Sequence, residues 1–186
     1  KENLVIYLSE AKYFFELYIY DDCSSDNSKD IVKNYADKDK RVHFAKNKTN
    51  KGYARNFIDA IAETNEKYVF LADQDDIWHP QKLEIMVSFM EKDSGIGMLI
   101  SDDKSFTESV KLNTITDCKT VRKINQNEFL KRGAYRGMNL VISRTFLNKM
   151  YNDVDYTINC DSHDWMLELL ACKFDCMYKV DEVLAF

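Results

Sequence analysis

The chain has 186 residues, of which 45% are hydrophobic and 13% aromatic, with one proline and five glycines. This is the size of one ordinary domain with a sizeable core, and it excludes a low-complexity or linker-like chain. A net charge of −5 excludes nucleic acid as the main partner, because a phosphate backbone selects a basic face.

In chain order, residues 1–15 read as a helix and Leu17–Tyr20 as a short apolar and aromatic strand. The strand stops at a polar turn, Asp21-Asp22-Cys23-Ser24-Ser25-Asp26, where Ser25 or Asp26 can cap a helix carrying Ile31, Val32, Tyr35 and Ala36. Arg41–Ala45 is a second strand, and Asn50-Lys51-Gly52 is a turn. Tyr53, Phe57, Ala60 and Ile61 then mark an amphipathic helix. Tyr68–Ala72 is a third strand, and it too ends in acids, Asp73-Gln74-Asp75-Asp76. Pro80 opens a helix with the stripe Leu83, Met86, Val87 and Met90, and Ile96–Ser101 is a fourth strand. Residues 102–124 are polar and aperiodic, a loop. Asn125 and Glu128 make a capping pair for a short helix. Asn139–Ser143 is a strand followed by a helix through Met150, and 151–161 is irregular. Trp165, Met166, Leu169, Leu170 and Cys172 form the apolar face of a last helix, and Cys176–Phe186 returns to strand composition.

Strands alternating with helices predict an α/β fold with a mostly parallel sheet, whose ligands bind beyond the carboxyl ends of the strands. Two strands end in acid clusters, so both clusters are expected to face one crevice. Adjacent carboxylates at Asp73, Asp75 and Asp76 repel each other, and a hard divalent cation, magnesium or manganese, relieves that conflict through oxygen ligands. A solvated acidic turn is the alternative for an isolated Asp-x-Asp. Carboxylates at Asp21, Asp22 and Asp26 can accept from a base imide or ribose hydroxyls, or serve as turn and cap residues. Arg55 can pair with an acid or with a diphosphate. Asp164, opening the last helix, can take a proton from an acceptor hydroxyl or merely complement the helix dipole.

The five cysteines, Cys23, Cys118, Cys160, Cys172 and Cys176, contain no Cys-x-x-Cys pair. They read as reduced thiols of a cytoplasmic protein rather than a zinc site or a disulfide framework. The apolar stretch Leu4–Tyr20 is interrupted by Glu10, Lys12 and Glu16, short of the ~20 residues a membrane span requires. Neither a Gly-x-Ser-x-Gly elbow nor a phosphate-binding Gly-x-x-x-x-Gly-Lys loop occurs.

Together the segments resemble the family 2 inverting glycosyltransferases of the GT-A (Rossmann-like) fold. The resemblance rests on Asp21-Asp22-Cys23-Ser24-Ser25-Asp26-Asn27-Ser28, Asn50-Lys51-Gly52-Tyr53-Ala54-Arg55-Asn56, Leu71-Ala72-Asp73-Gln74-Asp75-Asp76-Ile77-Trp78, Gly137-Met138-Asn139 with Arg144, and His163-Asp164-Trp165. The Asp-Gln-Asp-Asp-x-Trp form and the His-Asp pair are those of a rhamnosyltransferase-like subgroup. The family pattern implies that Asp75 holds a Mn2+ or Mg2+ ion, with Asp73 at the ribose or the metal. It implies further that Asp21, Asp22 and Asp26 line the nucleotide-sugar site, Asp22 touching the base. Arg55 supports the diphosphate, Asp164 is the general base, and Gly137, His163 and Trp165 lie on the acceptor side.

The implied donor is a UDP- or dTDP-sugar, and the acceptor a saccharide or lipid-linked saccharide in bacterial cell-surface polysaccharide assembly. The implied setting is cytoplasmic, at most peripheral at the inner face of the membrane, and no transmembrane segment is expected. Residues 1–186 are expected to form a single catalytic domain that lacks the family's first strand and continues beyond its last residue, truncated at both ends. Rival readings are a sugar-nucleotide nucleotidyltransferase, which releases pyrophosphate, and a non-catalytic module that binds carbohydrate or a partner.

Overall fold

A computed structural model describes residues 13–105, 113–116, 118, 120–153 and 161–186. The predicted helix over 1–15 and the loop residues 106–112 and 154–160 lie outside the described residues, apart from 13–15, which take no regular structure. The described residues fall into two compact units, 14–65 with 161–163, and 66–153 with 164–186.

In the first unit, β1 (Leu17–Asp21) and β2 (Val42–Lys46) pair in parallel, with Leu17 opposite Val42 and Asp21 opposite Lys46. Parallel neighbours need a crossover, and α1 (Ser28–Ala36) supplies it. Asp26 accepts from the Ser28 amide at 3.0 Å, so the predicted cap acts from one residue outside the cap position. Next, α2 (Tyr53–Glu63) buries Ala54, Ile58 and Ile61, while Tyr53 is exposed. Gly52 precedes it at φ +82°, a left-handed conformation that favours glycine.

The second unit holds a five-stranded sheet in the order β3 (Tyr68–Phe70), β6 (Leu140–Ser143), β4 (Met98–Asp103), β7 (Met177–Ala185), β5 (Val121–Lys123). Only β4 and β7 pair in parallel; β3–β6, β4–β6 and β5–β7 are antiparallel. The sheet is therefore mixed, not mostly parallel as predicted. β3 and β4 do run in the same direction, but β6 inserts between them in the opposite sense. β5 also corrects the reading of 102–124 as loop throughout.

The core explains the order. Met98, Leu99 and Ile100 of β4 and Leu140, Val141 and Ile142 of β6 have no exposure, as expected of strands covered on both faces. Three helices belong to this layer: α3 (Lys82–Lys92), with Met86 at 0% exposure; α4 (Gln126–Arg132), with Phe129 at 1%; and α5 (Arg144–Asp153), with Leu147 and Met150 at 0%. Asn125 caps α4 by accepting the Glu128 amide at 2.9 Å, half of the predicted capping pair.

The last helix, α6 (His163–Lys173), buries only part of the face predicted, Leu170 and Cys172. Leu167, Glu168, Leu170, Ala171 and Cys172 are buried, and Trp165 is exposed. The apolar residues there run nearly all round the helix, so periodicity does not single out a face.

Gly97 opens β4 under tight restraint. Its N–H donates to Cys176 O at 2.9 Å, and its carbonyl accepts from Ser143 N at 2.8 Å. An added Cβ would overlap the Cys176 sulfur, sitting 2.9 Å from Cys176 Cβ and 3.1 Å from Phe146 Cβ. Gly97→Ala is therefore expected to destabilise by about 1–3 kcal/mol. Thermal unfolding checks this at roughly 2–4 °C of Tm per kcal/mol. Adding Cys176→Ala should restore part of the loss, and an unchanged midpoint in Gly97→Ala would refute the packing.

Candidate active site

The acids of the first unit sit at the carboxyl end of β1. Asp21 is buried, its Oδ1 accepting from Ser24 N at 2.7 Å with Lys46 Nζ 3.3 Å from Oδ2. Burial alone would push this carboxyl up, but the Ser24 hydrogen bond and the Lys46 ammonium outweigh it and hold it below the usual range.

Asp22 gathers the next loop. It accepts Asn47 Nδ2 at 2.8 Å, Lys51 N at 2.9 Å and Gly52 N at 2.8 Å. Its pKa is likewise lowered, because these donors outweigh burial. Asn47 Nδ2 also donates to Asn56 Oδ1 at 2.8 Å, and Asn56 Nδ2 returns to Tyr20 O at 3.0 Å. Cys23, between the acids and Ser24, takes φ 70°. Asn47 escaped the sequence reading because a lone amide after a strand carries no signal. Its role is to bind the β1 and β2 termini to α2.

Arg55 pairs with Asp59 one turn on at 2.7 Å, and Lys51 pairs with the same carboxylate at 2.7 Å. His163 is buried, stacked on Phe57 with ring centroids 4.2 Å apart and edge-on to Tyr53. Tyr53 donates its hydroxyl to Asp161 O.

In the second unit, the acid loop after β3 is pinned just downstream. Ile77 and Phe186 exchange backbone hydrogen bonds at 2.8 and 2.9 Å, and His79 N donates to Leu184 O at 3.0 Å. The loop thereby joins the end of β7. Asp73 and Asp75 are exposed, and Asp73 N donates to Asp76 Oδ2 at 3.2 Å. The Asp73 pKa is raised, first by partial burial, then by the charges of Asp75 and Asp164. Asp164 thus acts electrostatically on the acid loop, although ninety residues separate them. Asp76 is pushed up to about 6, mainly by burial.

Beneath the loop lies Lys82, 1% exposed. Its ammonium donates to Met138 O and stands 4.5 Å above the Trp78 ring. Burial pulls its pKa down to about 7, against the opposing pull of Asp76 and Asp103. Met138 belongs to a 3-10 turn, Gly137–Asn139, whose three residues are buried. Asp103 holds both sides of that turn, accepting from Arg136 at 2.9 Å and from Asn139 at 2.7 Å. Lys82 and Asp103 were missed in the sequence, where each reads as a surface charge.

Asp164 occupies the first turn of α6, where Trp165 N donates to its Oδ1 at 2.8 Å. Among the described residues, no group of three or more His, Cys, Asp or Glu side chains is placed to hold a metal ion. Magnesium or manganese commonly takes only one or two carboxylates, with substrate phosphates completing its shell. Asp73 and Asp75 fit that requirement: two hard oxygen donors on an exposed loop, where the negative charge of Asp75 raises the pKa of Asp73.

The sequence profile of glycosyl transferase family 2 matches residues 5–152, and the chain belongs to that family. A putative teichuronic acid biosynthesis glycosyltransferase, TuaG of Bacillus subtilis, is 31% identical over 132 residues, covering 61% of this chain and 52% of that protein. The fold is of the GT-A type. It superposes on the crystal structure of Staphylococcus aureus TarS with a TM-score of 0.76 at 16% identity, covering 99% of this chain and 55% of that one. The mannosyltransferase PcManGT of Pyrobaculum calidifontis, in complex with GDP-Man and Mn2+, superposes with a TM-score of 0.65 at 15% identity, covering 96% and 51%. The chain spans about half the length of the relatives it matches. No helix among the described residues is long and apolar enough to cross a membrane.

Proposed function

We propose that this chain carries the catalytic core of a metal-dependent glycosyltransferase that moves a sugar from a nucleoside diphosphate onto a hydroxyl acceptor, with inversion. The observation that carries this reading is that the charges of Asp75 and Asp164 both act on Asp73 within one unit. It sets a proton acceptor at a helix N-terminus beside a pair of carboxylates suited to a divalent cation. Asp75 and Asp73 would hold that ion, which would supply positive charge against the departing diphosphate.

Asp164 takes the proton of the acceptor hydroxyl as that oxygen attacks the anomeric carbon. Asp21, Asp22 and Asp26 serve the nucleoside, with Asp22 at the base, and Arg55 the diphosphate. Gly137, His163 and Trp165 are assigned to the acceptor side. Donors of the UDP and dTDP classes are supported by TarS, which has been crystallised with UDP and with UDP-GlcNAc. Cell-surface polysaccharide assembly on a saccharide or lipid-linked acceptor is supported by the likeness to TuaG. The Asp-Gln-Asp-Asp-x-Trp run supports a rhamnosyltransferase-like reading.

Product analysis tests the reading against a nucleotidyltransferase. With sugar nucleotide, acceptor and manganese, the account expects free nucleoside diphosphate. Release of pyrophosphate would overturn it.

A further inference from the structure

Glu168 is a carboxylic acid with no exposure, set among the buried apolar residues Leu167, Leu170 and Ala171 of α6. It lies one helical turn after Asp164 on α6, so the two share a face. Both of its oxygens accept the Tyr135 N–H at 3.0 Å. Tyr135 is buried, with the Arg132 guanidinium 3.6 Å above its ring, and it follows Gly133, which ends α4 at φ +86°. The next residues are the Gly137–Asn139 turn already fixed by Lys82 and Asp103. Glu168 is therefore where α6 is fastened to that framework.

We propose that Glu168 is the positioning residue for Asp164: it locks the rotation of α6 through the hydrogen bond its carboxyl accepts from Tyr135 N. This rests on the reading of Asp164 as the general base. Apolar burial is non-directional, so a small turn of the helix about its axis, enough to swing the Asp164 carboxylate from its target, is what it resists least. One backbone hydrogen bond from a separate segment removes that freedom. Glu168 is buried and Asp164 only half-buried, so two carboxyls one turn apart sit in different surroundings and take two roles.

The surroundings agree. Burial, with a smaller push from Asp164, raises the Glu168 pKa to about 8, against the Tyr135 N–H and Arg132, which favour the anion. The groups facing it are Asp164 and Cys172 on α6, Arg132 on α4, and Tyr135, itself influenced by Glu128, Lys179 and Arg122. The sign follows from the raised value. Stability from the neutral form is complete below the ordinary glutamate range and is lost as pH rises through about 8.

Glu168→Gln keeps an acceptor for Tyr135 N and cannot ionise, whereas Glu168→Leu keeps the volume and loses the acceptor. The unfolding midpoint of each is read from about pH 4 to pH 9, across the window between the ordinary and the raised glutamate value, and kcat and donor KM at pH 7. The wild-type midpoint should fall from the ordinary glutamate range up to about pH 8 and level off above it, while that of Glu168→Gln stays flatter. Glu168→Gln should keep kcat within about threefold, and Glu168→Leu should lose about tenfold or more in kcat at unchanged KM. Parallel pH curves for wild type and Glu168→Gln, or full kcat in Glu168→Leu, would overturn the proposal. Should Glu168→Leu fail to fold, the Glu168→Gln pair of readouts decides alone. Asp164→Asn run alongside separates the two ideas: turnover there defeats the base assignment, whereas an inactive Asp164→Asn beside a fully active Glu168→Leu defeats only the positioning role.

Discussion

Asp164→Asn is expected to lower kcat by about 10²–10⁴, the usual range for a positioned general base, while leaving donor affinity unchanged. The substitution is nearly isosteric. An asparagine oxygen can still accept the Trp165 amide that Asp164 Oδ1 accepts at 2.8 Å, so the first turn of α6 keeps its form. What disappears is a group that can take up a proton. Steady-state kinetics with saturating acceptor measures the loss, and thermal unfolding verifies that the variant is folded. A folded Asp164→Asn within a fewfold of wild-type kcat would remove Asp164 from the chemistry.

Asp75→Ala is expected to abolish metal-dependent nucleotide binding. Asp75 is exposed at the tip of the acid loop, and the loop's course is fixed further along, by the exchange of hydrogen bonds between Ile77 and Phe186. Removing the carboxylate should therefore leave the fold untouched. Loss of an outer partner of a metal ligand typically costs 10–100-fold in affinity. A direct ligand should cost about 100-fold or more in apparent nucleotide affinity when manganese is present. Without metal, Asp75→Ala and wild type should bind alike. Calorimetric titration measures both, and equal manganese dependence in the two proteins would discard Asp75 as a ligand.

Much of the fold was legible from local pattern. β1, β2, β4 and β6 lie within a residue or two of the apolar runs that predicted them, and α4 begins at its Asn125 cap. Pairing was not legible, because register and neighbour choice are long-range. Nothing near Leu140–Ser143 says that β6 enters between β3 and β4 against both. β5 was missed since Val121-Arg122-Lys123 is three residues long at a sheet edge, with one apolar side chain.

The acid motifs were visible as short spaced patterns, but the residues that fasten them were not. Lys82 and Asp103 look like surface charges in the sequence, and only tertiary burial turns them into anchors for the Gly137–Asn139 turn. Glu168 did leave a trace, as the single charge in the run Trp165-Met166-Leu167-Glu168-Leu169-Leu170-Ala171-Cys172. A lone acid inside so apolar a helix must either reach solvent or find a buried donor. The fastening role of Asn47 and Asn56 was not visible, because their amides act through partners far along the chain.

Isothermal titration of the chain with UDP and with dTDP, each with and without manganese, tests the central claim most directly. The account predicts binding of at least one nucleotide that strengthens when manganese is added. A folded chain that binds neither nucleotide, or binds equally well without metal, would contradict it.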